Sequence, residues 1–109
     1  MPIDKTFVSG SMSMLILKLL SEKDMYGYEM IDTLRKRSEN VFELKAGTLY
    51  PLLHSLEEKN YLSCYEQEVS GKVRKYYQLT KEGRKFLEKK QVEWEQYAKA
   101  VTKVLAFEM

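Results

Sequence analysis

Between Leu49 and Leu79 the spacing of apolar residues changes once, and that change restricts the fold more than any other feature of the chain. Leu49, Leu52, Leu53 and Leu56 recur at three- and four-residue steps. At about 100° per residue they gather on one side of a helix. After Asn60 the step becomes two: Leu62, Cys64 and Glu66 alternate with Ser63, Tyr65 and Gln67. Beyond Ser70-Gly71, Val73, Lys75, Tyr77 and Leu79 alternate with Arg74, Tyr76 and Gln78. This pattern predicts a helix followed by a two-stranded hairpin with its tip at Ser70-Gly71-Lys72.

That helix carries residues that a purely structural helix avoids. Gly47, Pro51 and His54 lie opposite the leucines, flanked by Thr48, Tyr50 and Ser55. Proline is tolerated in a first turn, where amide donors lack partners, but deeper in it removes a hydrogen bond. Glycine leaves the backbone open to close approach. The disturbance is confined to the outer face near the helix N-terminus, as expected if something docks there.

The flanking segments are helical. From Ser11, read as an N-cap, Met12, Leu15, Ile16, Leu19 and Leu20 keep helical spacing until Glu22-Lys23-Asp24. Tyr26 to Arg37 forms a second helix, with Gly27, Met30, Ile31 and Leu34 on one stripe and Arg35-Lys36-Arg37 at the C-terminal end of its dipole. Thr80 caps a last helix, with Glu82 against its positive end and Gly83 where a capping box has glutamate or glutamine. This helix is expected from Lys81 almost to Met109. Its stripe of Leu87, Trp94, Ala98, Val101 and Leu105 is approximately heptad and is interrupted at Lys90-Gln91. So long a helix exceeds the core that the first 80 residues can offer, so the stripe is read as a dimerisation surface.

With 109 residues, 44% hydrophobic and 31% charged, the chain is read as one compact unit. Residues 1–80 would hold the three helices and the hairpin, and 81–109 the dimerisation helix. A lone Cys64, first twenty residues without an export-signal pattern and an apolar run Met14–Leu17 broken by Lys18 predict a cytoplasmic protein without a membrane partner. The net charge of +2 is modest. Between residues 70 and 90, however, Lys72, Arg74, Lys75, Lys81, Arg84, Lys85, Lys89 and Lys90 face only Glu82 and Glu88. One histidine and one cysteine give no metal-ligand spacing, and no cofactor is implied. Glu57 and Glu58 diverge around the helix instead of converging on a substrate atom, and no Ser/His/Asp arrangement is present, so no enzyme is expected.

Three helices, a hairpin and a further helix make a mainly α fold with a small β-hairpin, a winged helix-turn-helix with a long C-terminal dimerisation helix. Such a unit sets the N-terminal part of its third helix into the major groove of double-stranded DNA. Gly47 would allow close approach and Pro51 would present no unpaired amide, while Thr48, Tyr50 and His54 would meet base edges. Lys45, Lys72, Arg74 and Lys75 would meet phosphates. A homodimer would place two such helices in successive grooves of an inverted repeat. The competing expectation is a winged-helix protein-interaction module without sequence-specific DNA binding. A small-molecule carrier built around Trp94 is the more distant alternative.

Several motifs carry a family resemblance. Gly47-Thr48-Leu49-Tyr50-Pro51, the run Leu56-Glu57-Glu58-Lys59-Asn60-Tyr61-Leu62, the run from Arg74 to Gly83 and Tyr26-Gly27-Tyr28-Glu29-Met30 resemble the PadR family of bacterial transcriptional regulators. The resemblance covers about residues 11 to 87. The single terminal helix is similar to the short branch of that family, which implies dimerisation through it and the N-terminal helix. In multidrug-responsive members of that branch a tryptophan at the matching place stacks on planar aromatic small molecules across the dimer. Trp94 is therefore read either as such a platform or as an interface tryptophan without a ligand, and the protein is read as a repressor. The tip Ser70-Gly71-Lys72-Val73 departs from the glycine-rich or proline-containing wings common in the family.

Overall fold

The computed structural model describes the backbone of residues 5–108 and the side chains of residues 11–108. In chain order the elements are α1 (Lys5–Glu22), β1 (Met25–Tyr26), α2 (Gly27–Arg37), α3 (Ala46–Glu58), β2 (Leu62–Val69), β3 (Lys72–Leu79) and α4 (Lys81–Leu105). The expected order of helices and hairpin is present, and β1 is an addition. Ser11 lies inside α1 and does not cap it. The first ten residues of the stretch that bears on an export pattern lie outside the described side chains.

α3 buries Leu49, Leu53 and Leu56 and half-buries Leu52, so the leucine stripe faces the core. The same buried cluster holds Ile16, Leu17 and Leu20 of α1, Met30 and Leu34 of α2, and Leu62 and Tyr77 of the sheet. Pro51 sits inside α3, beyond its first turn, and removes the amide that would bond the Gly47 carbonyl. That carbonyl lies on the exposed side, where water can satisfy it.

The sheet runs β1-β3-β2, antiparallel throughout. Leu62 opposes Leu79, Cys64 opposes Tyr77 and Glu66 opposes Lys75 on one face, while Tyr65 opposes Tyr76 and Gln67 opposes Arg74 on the other. The hairpin turns on two residues, Ser70 (φ 51°) and Gly71 (φ 81°), and Lys72 already pairs with Val69. Two successive residues of positive φ give the turn whose twist matches that of the strands. β1 is only two residues long, with Met25 opposite Tyr77 and Tyr26 opposite Tyr76.

Thr80 caps α4 and ties it to the end of α3. Its Oγ1 accepts from the Gly83 amide (2.9 Å) and donates to the Asn60 carbonyl (2.7 Å). Its own amide donates to the Tyr61 carbonyl (3.1 Å). Gly83 replaces the capping-box glutamate because a Cβ there would strike the Tyr61 carbonyl oxygen. At the other end of the core, Arg37 closes α2 onto α1 by donating two bonds to Glu22 (2.9 and 2.7 Å).

α4 ends at Leu105 and stops short of Met109. Its stripe is not uniform. Leu87, expected at a dimer interface, is buried in the chain's own core beside the half-buried Phe86. Farther along, Trp94 is 50%, Val101 38%, Val104 75% and Leu105 80% exposed. A single helical stripe therefore meets the chain's own core at one end and runs beyond it at the other.

Candidate nucleic-acid interface

Lys45 is the N-cap of α3, with extended backbone (φ −98°, ψ 154°). A lysine side chain has no acceptor, so it cannot cap the first-turn amides as serine or aspartate would. No acidic residue stands in that turn either. The positive end of the helix dipole is thus left beside a lysine, an environment that favours phosphate oxygens. Gly47, Thr48, Pro51 and His54 follow along the exposed edge. Glu58 lies at the far end of the helix.

Tyr50 departs from the expected arrangement. It is half-buried, and its ring and hydroxyl occupy the place that a Cβ of Gly27 would take. The third helix therefore rests on the second through this tyrosine. What remains of Tyr50 lines a groove between the wing and the start of α2, together with Tyr26, Tyr28, Lys72 and Arg74.

The wing cations divide between its faces. Lys72 is exposed, and Arg74 lies over the Tyr26 ring at 4.3 Å from its centroid. Lys75 belongs to the face of Tyr77, with its Nζ 5.5 Å from that ring's centroid. Attraction to Tyr77 holds the Lys75 ammonium above the ordinary lysine range, with Cys64 and Glu57 adding to it. Thus the three residues grouped by sequence do not form one basic face, because neighbouring strand positions point oppositely.

Under Lys75, the Cys64 thiol donates to Glu57 Oε2 at 3.3 Å. Burial pushes this thiol up, and the Glu57 carboxylate pushes it further, so it is a poor nucleophile. No group of three or more histidine, cysteine, aspartate or glutamate residues among those described could hold a metal ion. No helix of the described residues is long and apolar enough to cross a membrane.

The outer face of the sheet carries an aromatic cluster that sequence reasoning did not assign. Tyr26 meets Tyr76 edge-on (5.6 Å), and Tyr76 stacks on Tyr65 (5.7 Å, 11°). The Tyr65 hydroxyl donates to Asp24 Oδ2 at 2.7 Å, and this bond, more than burial, raises the phenol above its usual range. The period-two alternation puts Tyr76 on the same strand face as Arg74, and the strand register brings Tyr65 opposite Tyr76. Only β1 brings Tyr26 to them.

At the far end, Trp94 and Tyr97 stack with centroids 6.1 Å apart. They border a shallow groove whose other side is formed by Ser11 and Met14 of α1. Ala98 is half-buried.

Comparison with known proteins agrees with this architecture. The model of the transcriptional regulator PadR-like family matches residues 16–89. A transcriptional regulator of Clostridium thermocellum is 36% identical, with a TM-score of 0.84 over 90% of this chain and 96% of that one. A PadR family transcription regulator of Clostridium difficile is 40% identical, with a TM-score of 0.80 over 88% of this chain and 99% of that one. Transcriptional regulator YqjI of Escherichia coli is 33% identical over 82 residues, which are 75% of this chain and 38% of YqjI. These relatives are transcriptional regulators, not enzymes. With a winged helix-turn-helix in place and the family match extending from α1 into α4, the chain belongs to the PadR-like family of transcriptional regulators.

Proposed function

We propose that this regulator is a homodimeric repressor that binds an inverted-repeat operator in double-stranded DNA and occludes a promoter. The observation that carries the reading is the exposed edge of α3, which has no acid in its first turn and a lysine at its cap. Lys45, Gly47, Thr48, Pro51 and His54, with the free part of Tyr50, face the major groove. Lys72 and Arg74 hold phosphates beside it, and Lys75 contributes charge from the opposite face of the wing. Residues 1–80 form the DNA-binding part, and 81–109 pair the two copies through Trp94, Ala98, Val101 and Leu105. Leu87 has no part in that surface, since it is already buried. The protein acts in the cytoplasm, where chromosomal DNA is accessible.

A planar aromatic effector is the proposed release signal. Trp94 and Tyr97 offer two flat, half-free rings beside Met14. Stacking there across the dimer would alter the spacing of the two recognition helices. Operator affinity would fall only by the effector's preference for the altered dimer.

The test is capture of fragmented source-genome DNA by the purified protein at near-physiological salt, followed by sequencing. A few fragments sharing a pseudo-palindrome are the expected outcome. Uniform capture, or none in the presence and absence of aromatic ligands, would contradict the reading and favour a protein-interaction module.

A further inference from the structure

We propose that Tyr26 is a positioning residue for DNA binding, its ring holding the Arg74 guanidinium ready for a phosphate at the mouth of the groove between the wing and α2. This rests on the reading above that the wing meets DNA.

The contact joins two elements far apart in sequence. Arg74 Cζ lies 4.3 Å from the Tyr26 ring centroid, within the range of cation–π attraction. Tyr26 is itself held in place. Its backbone pairs with Tyr76 and stands at the N-cap of α2, and its ring abuts Tyr76 at 5.6 Å. Tyr76 stacks on Tyr65, which Asp24 anchors at 2.7 Å. Attraction to a ring occupies no hydrogen-bond acceptor, so the guanidinium keeps N–H donors for another partner. Arg74 forms no ion pair among the described residues. An arginine near a hairpin tip would otherwise lose much rotamer freedom on meeting a phosphate. Tyr26 removes part of that loss beforehand. It thereby selects Arg74, and not the neighbouring Lys72, as the wing cation with a fixed position.

The test is a double-mutant cycle on the captured operator fragment, with affinity measured against salt for the full chain. Tyr26→Leu is expected to weaken binding about two- to fivefold, as loss of an exposed cation–π contact would. Tyr26→Phe should bind like the unaltered chain, since the ring remains. Tyr26→Leu should add nothing once Arg74→Ala is present, yet should add fully to Lys72→Ala. A second measurement reads the contact without DNA: the Arg74 Cδ protons should show ring-current shifts in the unaltered chain and Tyr26→Phe, and lose them in Tyr26→Leu. Unshifted protons in the unaltered chain would overturn the proposal. So would a Tyr26→Leu loss that persists in the Arg74→Ala background, which would mark Tyr26 as merely structural. If Arg74→Ala leaves operator affinity unchanged while His54→Ala reduces it, the wing contact and this inference fail but the recognition helix stands. If no operator is captured at all, both readings fall.

Discussion

A Cβ added at Gly27 would meet the Tyr50 hydroxyl and ring, whereas one added at Gly83 would meet the Tyr61 carbonyl oxygen and Leu79 Cδ1. The obstacles differ in their freedom. Tyr50 can swing outward, but the Tyr61 backbone is tied to Thr80 at 3.1 Å. Gly27→Ala is therefore expected to change stability by no more than about 1 kcal/mol, with Tyr50 displaced from its seat. Gly83→Ala should reach or exceed the upper end of the roughly 1–3 kcal/mol typical of overpacking. Denaturant unfolding of the two variants checks the order, and equal losses would contradict it. The wing lysines are expected to differ as well. Lys72→Ala should reduce the slope of log affinity against log salt by about one, whereas Lys75→Ala, whose ammonium sits over Tyr77, should change it less. The exposed edge of α3 was legible in the sequence because Gly47, Thr48, Pro51 and His54 depend only on their own helix for orientation. The half-buried seat of Tyr50 is not legible there, because its partner, Gly27, belongs to another helix and a helical wheel carries no information about packing between elements.

Leu87 and Leu105 lie on one stripe of α4, yet the first is buried and the second is 80% exposed. Leu87→Ala is expected to cost about 2–5 kcal/mol of folding stability, as other buried leucine truncations do. Leu105→Glu should leave thermal unfolding of the fold nearly unchanged and shift sedimentation toward the single chain. Loss of folding in Leu105→Glu would contradict this division. Periodicity shows the stripe but not where the core beneath it ends, so it does not separate the buried Leu87 from the exposed residues farther along. β1 escaped detection for a related reason, since two residues are too few to alternate. The joint between α1 and α2 supplies a pH test. The Arg37 guanidinium donates two bonds to Glu22 and holds its carboxyl below the usual range. A carboxyl lowered in the folded state contributes stability above its unfolded pKa, about 4.3 for glutamate, and loses it as pH falls through the folded value. The unaltered chain should therefore exceed Glu22→Gln in stability near neutrality, with the difference shrinking below about pH 4. A difference independent of pH would show that the fork contributes no proton-linked stability.

The whole chain measures 63 × 31 × 21 Å, with a radius of gyration of 15.8 Å. A compact domain of this length would have about 13 Å. The difference reflects α4, which extends apolar residues past the core that α1, α2, α3 and the sheet build. A second copy covering that extension would also fix the distance between two α3 edges, making the spacing of the operator halves a property of the dimer. Hydroxyl-radical footprinting of the captured fragment tests this most directly. The expected result is a two-fold pattern of protection centred on the pseudo-palindrome, its halves about 10 base pairs apart, or a whole multiple of a helical turn. Each half should weaken when His54 and Lys72 are replaced by alanine. A single protected patch, or protection unaffected by those replacements, would contradict the assignment of α3 and the wing as the paired DNA-reading surfaces.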